Sequence, residues 1–552
     1  MKRRLRAAIA AALQSESDLT EADLAPIGIE VPARPEHGDF AINAAMVLAR
    51  KLRRSPREIA QGLAPALEEL PEVERVTVAG PGFINVSIRP SAWRSVLIQI
   101  LEQGEDFGRS QREQPREVMV EFVSANPTGP LHFGHGRGAV VGDVLARLLD
   151  FSGHRVQREF YVNDAGRQVR NLALSIDCWR RRHAGEEAAL PEDGYHGAYV
   201  EELAQEMPPD ASLEAIEEAA VEAMLEGIRR DLSDFGIHMD RFASERALVS
   251  AGRIQQAIGA LQERGVLEER EGASWFRSDR FGDEKARVLI KQDGSNTYFA
   301  TDIAYHMDKL QRGFDMLINV WGADHHGYVP RMKAALQALG QAPDALDVVL
   351  VQMVSLVRDG APVLMSKRAG EITTLRQVFE EVGRDAARFF FLVRGPDSQM
   401  EFDLELAKRR SLDNPVFYVQ YGHARLCSLL VRAAERGVQV PALDSASSVD
   451  LDRLVLPEEM RIVKRMSELP EVVRRAADSR APHQLVYYLQ ELVGSFHSYY
   501  TAYGKVDPIL VGEEGKVAAR LVLVLALRQV LRNALDLLGV SAPERMDSLE
   551  TE

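Results

Sequence analysis

The sequence predicts a multidomain α/β protein: a small N-terminal α+β domain, a parallel-sheet domain carrying a helical insertion, and a C-terminal all-α bundle. Three observations predict it. Between about 111 and 403, apolar strand-like runs alternate with helix-period segments, and the runs end in polar clusters: Val118–Phe122 before Ser124-Ala-Asn126, Val156–Val162 before Asn163-Asp-Ala-Gly166, Met316–Trp321 before Gly322–Tyr328. From about Leu404 onward the pattern is helical throughout. In the first 110 residues, Val73–Val78 and Phe83–Ile88 flank Ala-Gly-Pro-Gly as a strand pair. The resulting division is 1–110, 111–403 with an insertion over about 168–285, and 404–552.

At 552 residues the chain is too long for one core. Its 46% hydrophobic and 27% charged residues are ordinary soluble composition. The net charge of −15 argues against a general nucleic-acid coat but leaves room for a local basic face. Two cysteines, Cys178 and Cys427, make neither a disulfide framework nor a zinc ribbon, and point to a reducing cytoplasm. No charge-free apolar stretch reaches the ~18 residues of a membrane span, so no membrane partner is expected.

In chain order, MKRRLRAAIAAALQ has the outline of a secretory leader, but its apolar run is short and Leu5, Ile9 and Leu13 share one helical face. It reads as a first helix. A helix is expected through Ile42 to Leu52, and Ser55-Pro-Arg-Glu58 starts another. On the following strand pair, Phe83 and Asn85 are candidates to stack on and hydrogen-bond an unstacked RNA base, against the default of a core ring and a turn amide.

Val118 to Leu149 organises the middle of the chain. A strand alternating at Val118, Val120 and Phe122 is stopped by Pro127, Gly129 and Pro130, and helical spacing resumes from Gly134 through Val140, Val144 and Leu148. His132 and His135 sit where that helix begins, where free N–H groups and the helix dipole favour phosphate. Gly134 and Gly136 would leave room for a ligand near the backbone. Three readings of this site stand. Gly134-His-Gly136-Arg-Gly138-Ala139 fits a dinucleotide fingerprint, with Glu159 twenty residues past Ala139 as the ribose acid. Against it, eight residues with two prolines separate strand from glycine. The second reading is a His-x-Gly-His element, taken up below with the resemblance it carries, and the third is a surface turn with two incidental histidines.

Val156–Val162 is the next strand. The acidic, helical segment from Gln168 to Arg246 reads as an insertion, interrupted from His183 to Pro209. Trp275-Phe276 and Arg287–Phe299 return to strands around an Asp293-Gly294 turn. Tyr298–Asp302 leads into a helix from Ile303, with Thr301 or Asp302 as cap. Met316–Trp321 reads as a buried parallel strand ending at Asp324-His325-His326, where substrate contact is preferred to a metal role because the ligand spacing is wrong. Val348–Val357 reads as one strand. Met365-Ser-Lys-Arg368 reads as a basic loop whose cations would close over a polyphosphate. In the tail, Tyr418, Tyr421, Arg425 and Tyr499 interleave rings and cations in a way that suits unstacked bases, although most such rings belong to bundle cores.

The order of these elements is more specific than any one of them. His132-Phe-Gly-His135 after a first strand, a helical insertion, Met365-Ser-Lys-Arg368 and an α-helical tail resemble class I aminoacyl-tRNA synthetases over nearly the full length. Glu121-Phe-Val-Ser-Ala-Asn126, Tyr298-Phe-Ala-Thr-Asp302 and the final bundle narrow this to similarity with the arginyl-tRNA synthetase family. The resemblance implies a Rossmann-like catalytic domain, an N-terminal domain touching the tRNA elbow, and an anticodon-binding bundle.

It also implies a chemistry. Arginine would be activated by ATP and Mg²⁺ to arginyl-adenylate and passed to the terminal ribose of tRNA(Arg), with tRNA required for activation and a cytoplasmic monomer as the working form. His132, Gly134, His135, Met365, Ser366, Lys367 and Arg368 match the family's ATP-binding positions, with His132, His135 and Lys367 catalytic. Glu121, Ser124, Asn126, His132, Tyr298, Asp302, Asp324 and His325 match the arginine site, with Asp302 placed to hold the guanidinium. Phe83, Asn85, Tyr418, Tyr421 and Tyr499 are the candidates for tRNA. One departure stands out: Leu364 occupies the position where the usual signature carries a lysine. The competing functions are a synthetase for another amino acid, a non-catalytic RNA-binding relative, and a nicotinamide-dependent oxidoreductase.

Overall fold

The computed structural model describes residues 1–13, 19–112, 114–363 and 373–546, without the side chains of residues 21 and 443–445. Its residues fall into two compact units: 1–104 with 430–467 and 498–529, and 105–429 with 468–497 and 530–552. The helical tail is therefore shared between them, and three long helices, Pro415–Glu435, His483–Tyr503 and Glu514–Leu537, have residues in both.

In the first unit, strands β1 (Ile29–Glu30), β2 (Phe40–Ile42), β3 (Val73–Ala79) and β4 (Phe83–Ile88) form an antiparallel sheet in the order β1-β2-β4-β3. The strand pair expected at 73–88 is present, with Ala79 opposite Phe83. Ser55 and Glu58 form a reciprocal capping box with Pro56 in the first turn, which fixes the start of the helix Pro56–Glu68. Ile42 is the last residue of β2 rather than the start of a helix; the helix begins at Ala44.

The second unit contains a five-stranded sheet of β5 (Glu117–Glu121), β6 (Arg155–Val162), β7 (Arg241–Ser244), β11 (Met316–Gly322) and β12 (Leu346–Val351), ordered β12-β11-β5-β6-β7. Every pair in it is parallel. This is the doubly wound order, with the reversal of winding between β5 and β11. β7 lies within the stretch expected as insertion, yet it pairs with β6 and extends the main sheet. The helices Arg167–His183, Ala198–Glu206 and Leu213–Asp234 between β6 and β7 build their own apolar core from Leu172, Ile176, Val200 and Ile216.

β8 (Leu267–Arg270), β9 (Ala273–Phe276) and β10 (Arg287–Ile290) make a separate antiparallel sheet. The single strand expected at Val348–Val357 is two, because the chain leaves β12 at Gln352 and enters a different sheet as β13 (Val354–Arg358). β13 pairs with β14 (Ala361–Pro362) and β15 (Met400–Asp403). Arg137 explains the break: its buried guanidinium donates to the carbonyls of Gln352, Ser398 and Gly395 at 3.0, 2.7 and 2.7 Å. A buried charge demands such partners, and turning chain supplies free carbonyls that a continuous ladder would not.

Among the described residues no helix is long and apolar enough to cross a membrane.

Candidate active site

The site lies at the carboxyl ends of β5 and β11, on either side of the winding reversal. After β5 the chain enters a strained turn: Val123 has φ +68° and Ser124 φ +42°, and the Ser124 N–H donates to the Phe122 carbonyl two residues back. A β-branched residue at positive φ is costly, and such strain is kept where it aims side chains. Here it turns Ser124 Oγ back to donate to Glu121 Oε1 at 3.0 Å and to accept the Tyr161 N–H. Asn126 then donates to Gln168 Oε1 at 2.7 Å, and Tyr199 donates to the Thr128 carbonyl at 2.7 Å, so the insertion holds this loop.

The helix Phe133–Phe151 begins immediately beyond, with His132 as its N-cap. The imidazoles of His132 and His135 stack, their centroids 3.6 Å apart. The His132 N–H donates to His135 Nδ1 at 3.2 Å, which puts the ring proton of a neutral His135 on Nε2. A Cβ at Gly134 would sit 3.0 Å from the His132 ring, so glycine there makes room for the histidine itself. Gly136 makes room for the core rather than for a ligand: a Cβ would meet Phe391 at 2.6 Å and Leu375 at 2.8 Å.

The chain on the far side of the basic loop returns to this point. The Phe133 N–H donates to the Thr373 carbonyl at 3.0 Å and the Leu375 N–H to the Leu131 carbonyl at 2.8 Å, with His132 opposite Thr374. Leu364, Met365, Ser366, Lys367 and Arg368 lie outside the described residues.

Across the winding reversal, the helix Tyr298–Gln311 is capped by Thr297, whose hydroxyl accepts from the Ala300 N–H; neither Thr301 nor Asp302 is the cap. Asp302 therefore lies one turn inside the helix, beneath Tyr298, which is 75% exposed. The Tyr328 hydroxyl donates to Asp302 Oδ2. Among the described residues Asp302 makes no ion pair. Burial first, then the charges of Glu121 and Glu245, push its carboxyl from the ordinary 3.8 up to about 7, with the Tyr328 hydrogen bond and Lys309 acting the other way. Burial also raises Glu245, against a hydrogen bond from the Tyr161 hydroxyl at 2.8 Å. Asp302 and Glu245 are thus two carboxyls held above the ordinary carboxylate range, with Glu121 also acting on Asp302.

Glu121 is differently placed from the expectation that it meets substrate. Its Oε2 accepts from the buried ammonium of Lys309 at 2.5 Å and its Oε1 from Ser124, so both oxygens are engaged within the protein. Glu159, the ribose acid of the dinucleotide reading, is buried beside it. Burial works against its ionisation, but two hydrogen bonds from Arg312, at 2.7 and 2.8 Å, and one from Tyr305 hold its carboxyl below the ordinary value. It cannot reach a ribose, and the dinucleotide reading falls with it. Asp324 and His325 are exposed in the turn after β11, paired with each other at 3.5 Å; from the same turn it is Tyr328 that reaches Asp302. Among the described residues no group of three or more His, Cys, Asp or Glu is arranged to hold a metal.

The candidate RNA contacts separate. Phe83 is 39% exposed, whereas the Asn85 amide is buried beside His37. Tyr499 is 1% exposed with its hydroxyl on Glu459, which makes it a core residue rather than a reader of bases. Tyr418 and Tyr421 are half-buried around His497, and Arg425 lies 4.8 Å over the Tyr421 ring.

Comparison with known proteins finds three family matches along the chain. Residues 3–88 match the family "Arginyl tRNA synthetase N terminal domain", residues 96–206 and 210–395 match "tRNA synthetases class I (R), catalytic domain", and residues 419–546 match "DALR anticodon binding domain". An arginine--tRNA ligase of Syntrophotalea carbinolica is 48% identical over 99% of this chain and 100% of its own. The chain belongs to the arginyl-tRNA synthetase family. A second relative, from Citrifermentans bemidjiense, carries the same name at 48% identity over 99% of this chain and 100% of its own. The arginyl-tRNA synthetase structure from Thermus thermophilus superposes with a TM-score of 0.79 at 25% identity, covering 99% of this chain and 100% of that one.

Within this synthetase, sequence reading missed Lys309, Tyr328, Glu245 and Tyr161. Lys309 left a trace, since it falls seven residues after Asp302 and so on the same helix face. The others reach the pocket from separate elements and leave none.

Proposed function

We propose that this arginyl-tRNA synthetase, which charges tRNA(Arg) with arginine, binds the guanidinium at Asp302 and the ATP phosphates at the N-terminus of the His132 helix. The observation that carries the reading is Asp302: a half-buried carboxyl that makes no ion pair among the described residues, with Glu121 and Glu245 acting on it and a tyrosine hydroxyl donating to it. Such a group is best satisfied by a cation arriving with its own donors, and a planar guanidinium can give two hydrogen bonds to one carboxylate. Lysine presents a single point charge and forgoes the second bond.

Arginine's carboxylate then attacks the α-phosphate of ATP in line, giving arginyl-adenylate and pyrophosphate, and the terminal ribose hydroxyl of tRNA takes the arginyl group. His135 with its proton on Nε2, His132 and the positive end of the helix dipole would stabilise the charge on the phosphate oxygens. Lys367 and Arg368 would join them. Lys367 is six positions before Thr373, a chain length of at most about 22 Å. Arg368 is the candidate to replace the cation missing at Leu364. Mg²⁺ would travel with ATP and neutralise its phosphates. Phe83, Tyr418 and Tyr421 are the proposed tRNA contacts, and the working form is a cytoplasmic monomer with functional divisions near 110 and 404.

The test is ATP–pyrophosphate exchange with each amino acid singly, with and without tRNA, followed by charging. Arginine alone is expected to drive exchange, and only with tRNA present. Exchange driven by lysine or a neutral amino acid would overturn the pocket assignment; arginine exchange without tRNA would remove the tRNA requirement alone.

A further inference from the structure

Glu121, Glu159 and Asn319 form a polar row across the middle of the main sheet. Glu121 on β5 is directly opposite Glu159 on β6 and Asn319 on β11. All three are buried, which is unusual for the face of a parallel sheet covered by a helix. The covering helix is Tyr298–Gln311, and it answers the row group by group. Lys309, at 0% exposure, donates to Glu121 at 2.5 Å and to Asn319 Oδ1 at 3.3 Å, with its ammonium 4.2 Å from the Tyr305 ring centroid. Asn319 Nδ2 donates to His306 Nε2 at 2.8 Å, and His306 Nδ1 donates to the Asp302 carbonyl at 2.8 Å. Tyr305 and Arg312 close Glu159.

Asp302, Tyr305, His306 and Lys309 stand at i, i+3, i+4 and i+7, one stripe of the helix. The same face therefore carries the open acid and, two turns on, the cation that occupies its neighbour. The charged and titratable groups bearing on Asp302 include Glu121 from β5, Tyr161 from β6, Glu245 from the helix after β7, Tyr328 from the turn after β11, and Lys309 from its own helix. Only Lys309 among them is positive.

We propose that Lys309 is a positioning residue for amino-acid recognition: it neutralises Glu121 inside the helix–sheet interface, so that the pocket's open negative charge is concentrated at Asp302 and one cation is admitted there. Glu121 then acts indirectly. It takes no part in holding the guanidinium but fixes Lys309 on one side and the strained Ser124 turn on the other. This rests on the arginine site proposed above and extends it by assigning a counter-charge and removing one presumed ligand.

Three variants test it beside Asp302→Asn: Glu121→Gln, Lys309→Met, and the two together. Breaking a buried pair from either side leaves the other group uncompensated, whereas replacing both is close to neutral. Each single variant should lose about 100-fold in kcat/KM for arginine while the KM for ATP changes by about twofold or less, and the double variant should recover at least about tenfold of that loss. In Lys309→Met, the pH at which arginine KM begins to rise should move upward, because the cation that favours ionised Asp302 is gone. Thermal unfolding reports whether each variant is folded; if Lys309→Met is not, Glu121→Gln against the double variant carries the test. A double variant no better than Glu121→Gln overturns the proposal, because Glu121 then touches arginine directly. An unchanged pH dependence in Lys309→Met overturns it equally. If Asp302→Asn leaves arginine KM unaltered, the arginine site itself is misplaced, a failure separate from that of Lys309.

Discussion

In the arginine site proposed above, Asp302 concentrates the chemistry of recognition in one carboxyl. Its folded value of about 7 lies above the ordinary 3.8, so the folded protein holds a proton there that the unfolded chain has released between those values. The associated stability is complete below the ordinary carboxyl range and is lost as pH rises through about 7. Arginine reverses the preference, because a guanidinium favours the anion. Arginine binding at pH 6 is therefore expected to release close to one proton, read by calorimetry in buffers of different ionisation enthalpy, and affinity should climb as pH rises through about 7. Asp302→Asn should abolish that proton release and weaken arginine binding about 100-fold or more, in the range expected for losing one partner of a buried charge pair. It should also raise the melting temperature of the arginine-free protein at pH 8, where the wild-type carboxylate is uncompensated. A variant that binds arginine with wild-type pH dependence would show that the guanidinium lies elsewhere.

Two helices carry the site, and each shows a limit of reading elements from sequence. The His132 helix was legible because histidines, glycines and apolar spacing are all local. The role of Gly136 was not, since Phe391 and Leu375 approach it from more than two hundred residues away. The helix Tyr298–Gln311 was expected to begin at Ile303, and that shift matters: with Thr297 as cap, Asp302 and Lys309 share one helix face instead of Asp302 ending a loop. Thr297 also donates to the Val288 carbonyl at 3.0 Å, tying the helix start to β10. Thr297→Ala should cost about 1 kcal/mol of stability, as losing a side-chain cap does. It should also raise the KM for arginine without changing that for ATP, while Thr297→Ser retains both. Equal effects on the two substrates would show that the cap does not position Asp302.

At the scale of the molecule, the contact-based units and the sequence divisions differ, because the long helices of the tail contribute residues to both units. Of the main sheet, β5, β6 and β11 lie where strands were expected, the run Val348–Val357 is divided between β12 and β13, and β7, a four-residue strand that acidic, helix-rich surroundings concealed, was not expected. The first unit presents Phe83 to solvent from the turn end of β4, so its ring is accessible to an unstacked base. Loss of a stacked base contact typically costs about 1–3 kcal/mol, so Phe83→Ala should raise the KM for tRNA about tenfold and leave the KM values for ATP and arginine unaltered. An unchanged tRNA KM would leave Phe83 as an ordinary exposed ring.

The sequence by itself determined the family, most of the strands and helices of the main sheet, and the helix that starts at His132, because these rest on short motifs and on periodicity within one element. Tertiary structure alone decided which acids are open and which are closed. Glu121, Glu159 and Asp302 look alike in the chain, but Lys309 occupies the first, Arg312 and Tyr305 the second, and the third is left with a tyrosine hydroxyl. Charge compensation is a property of neighbours brought together across β5, β6 and β11, and no spacing along the chain encodes it.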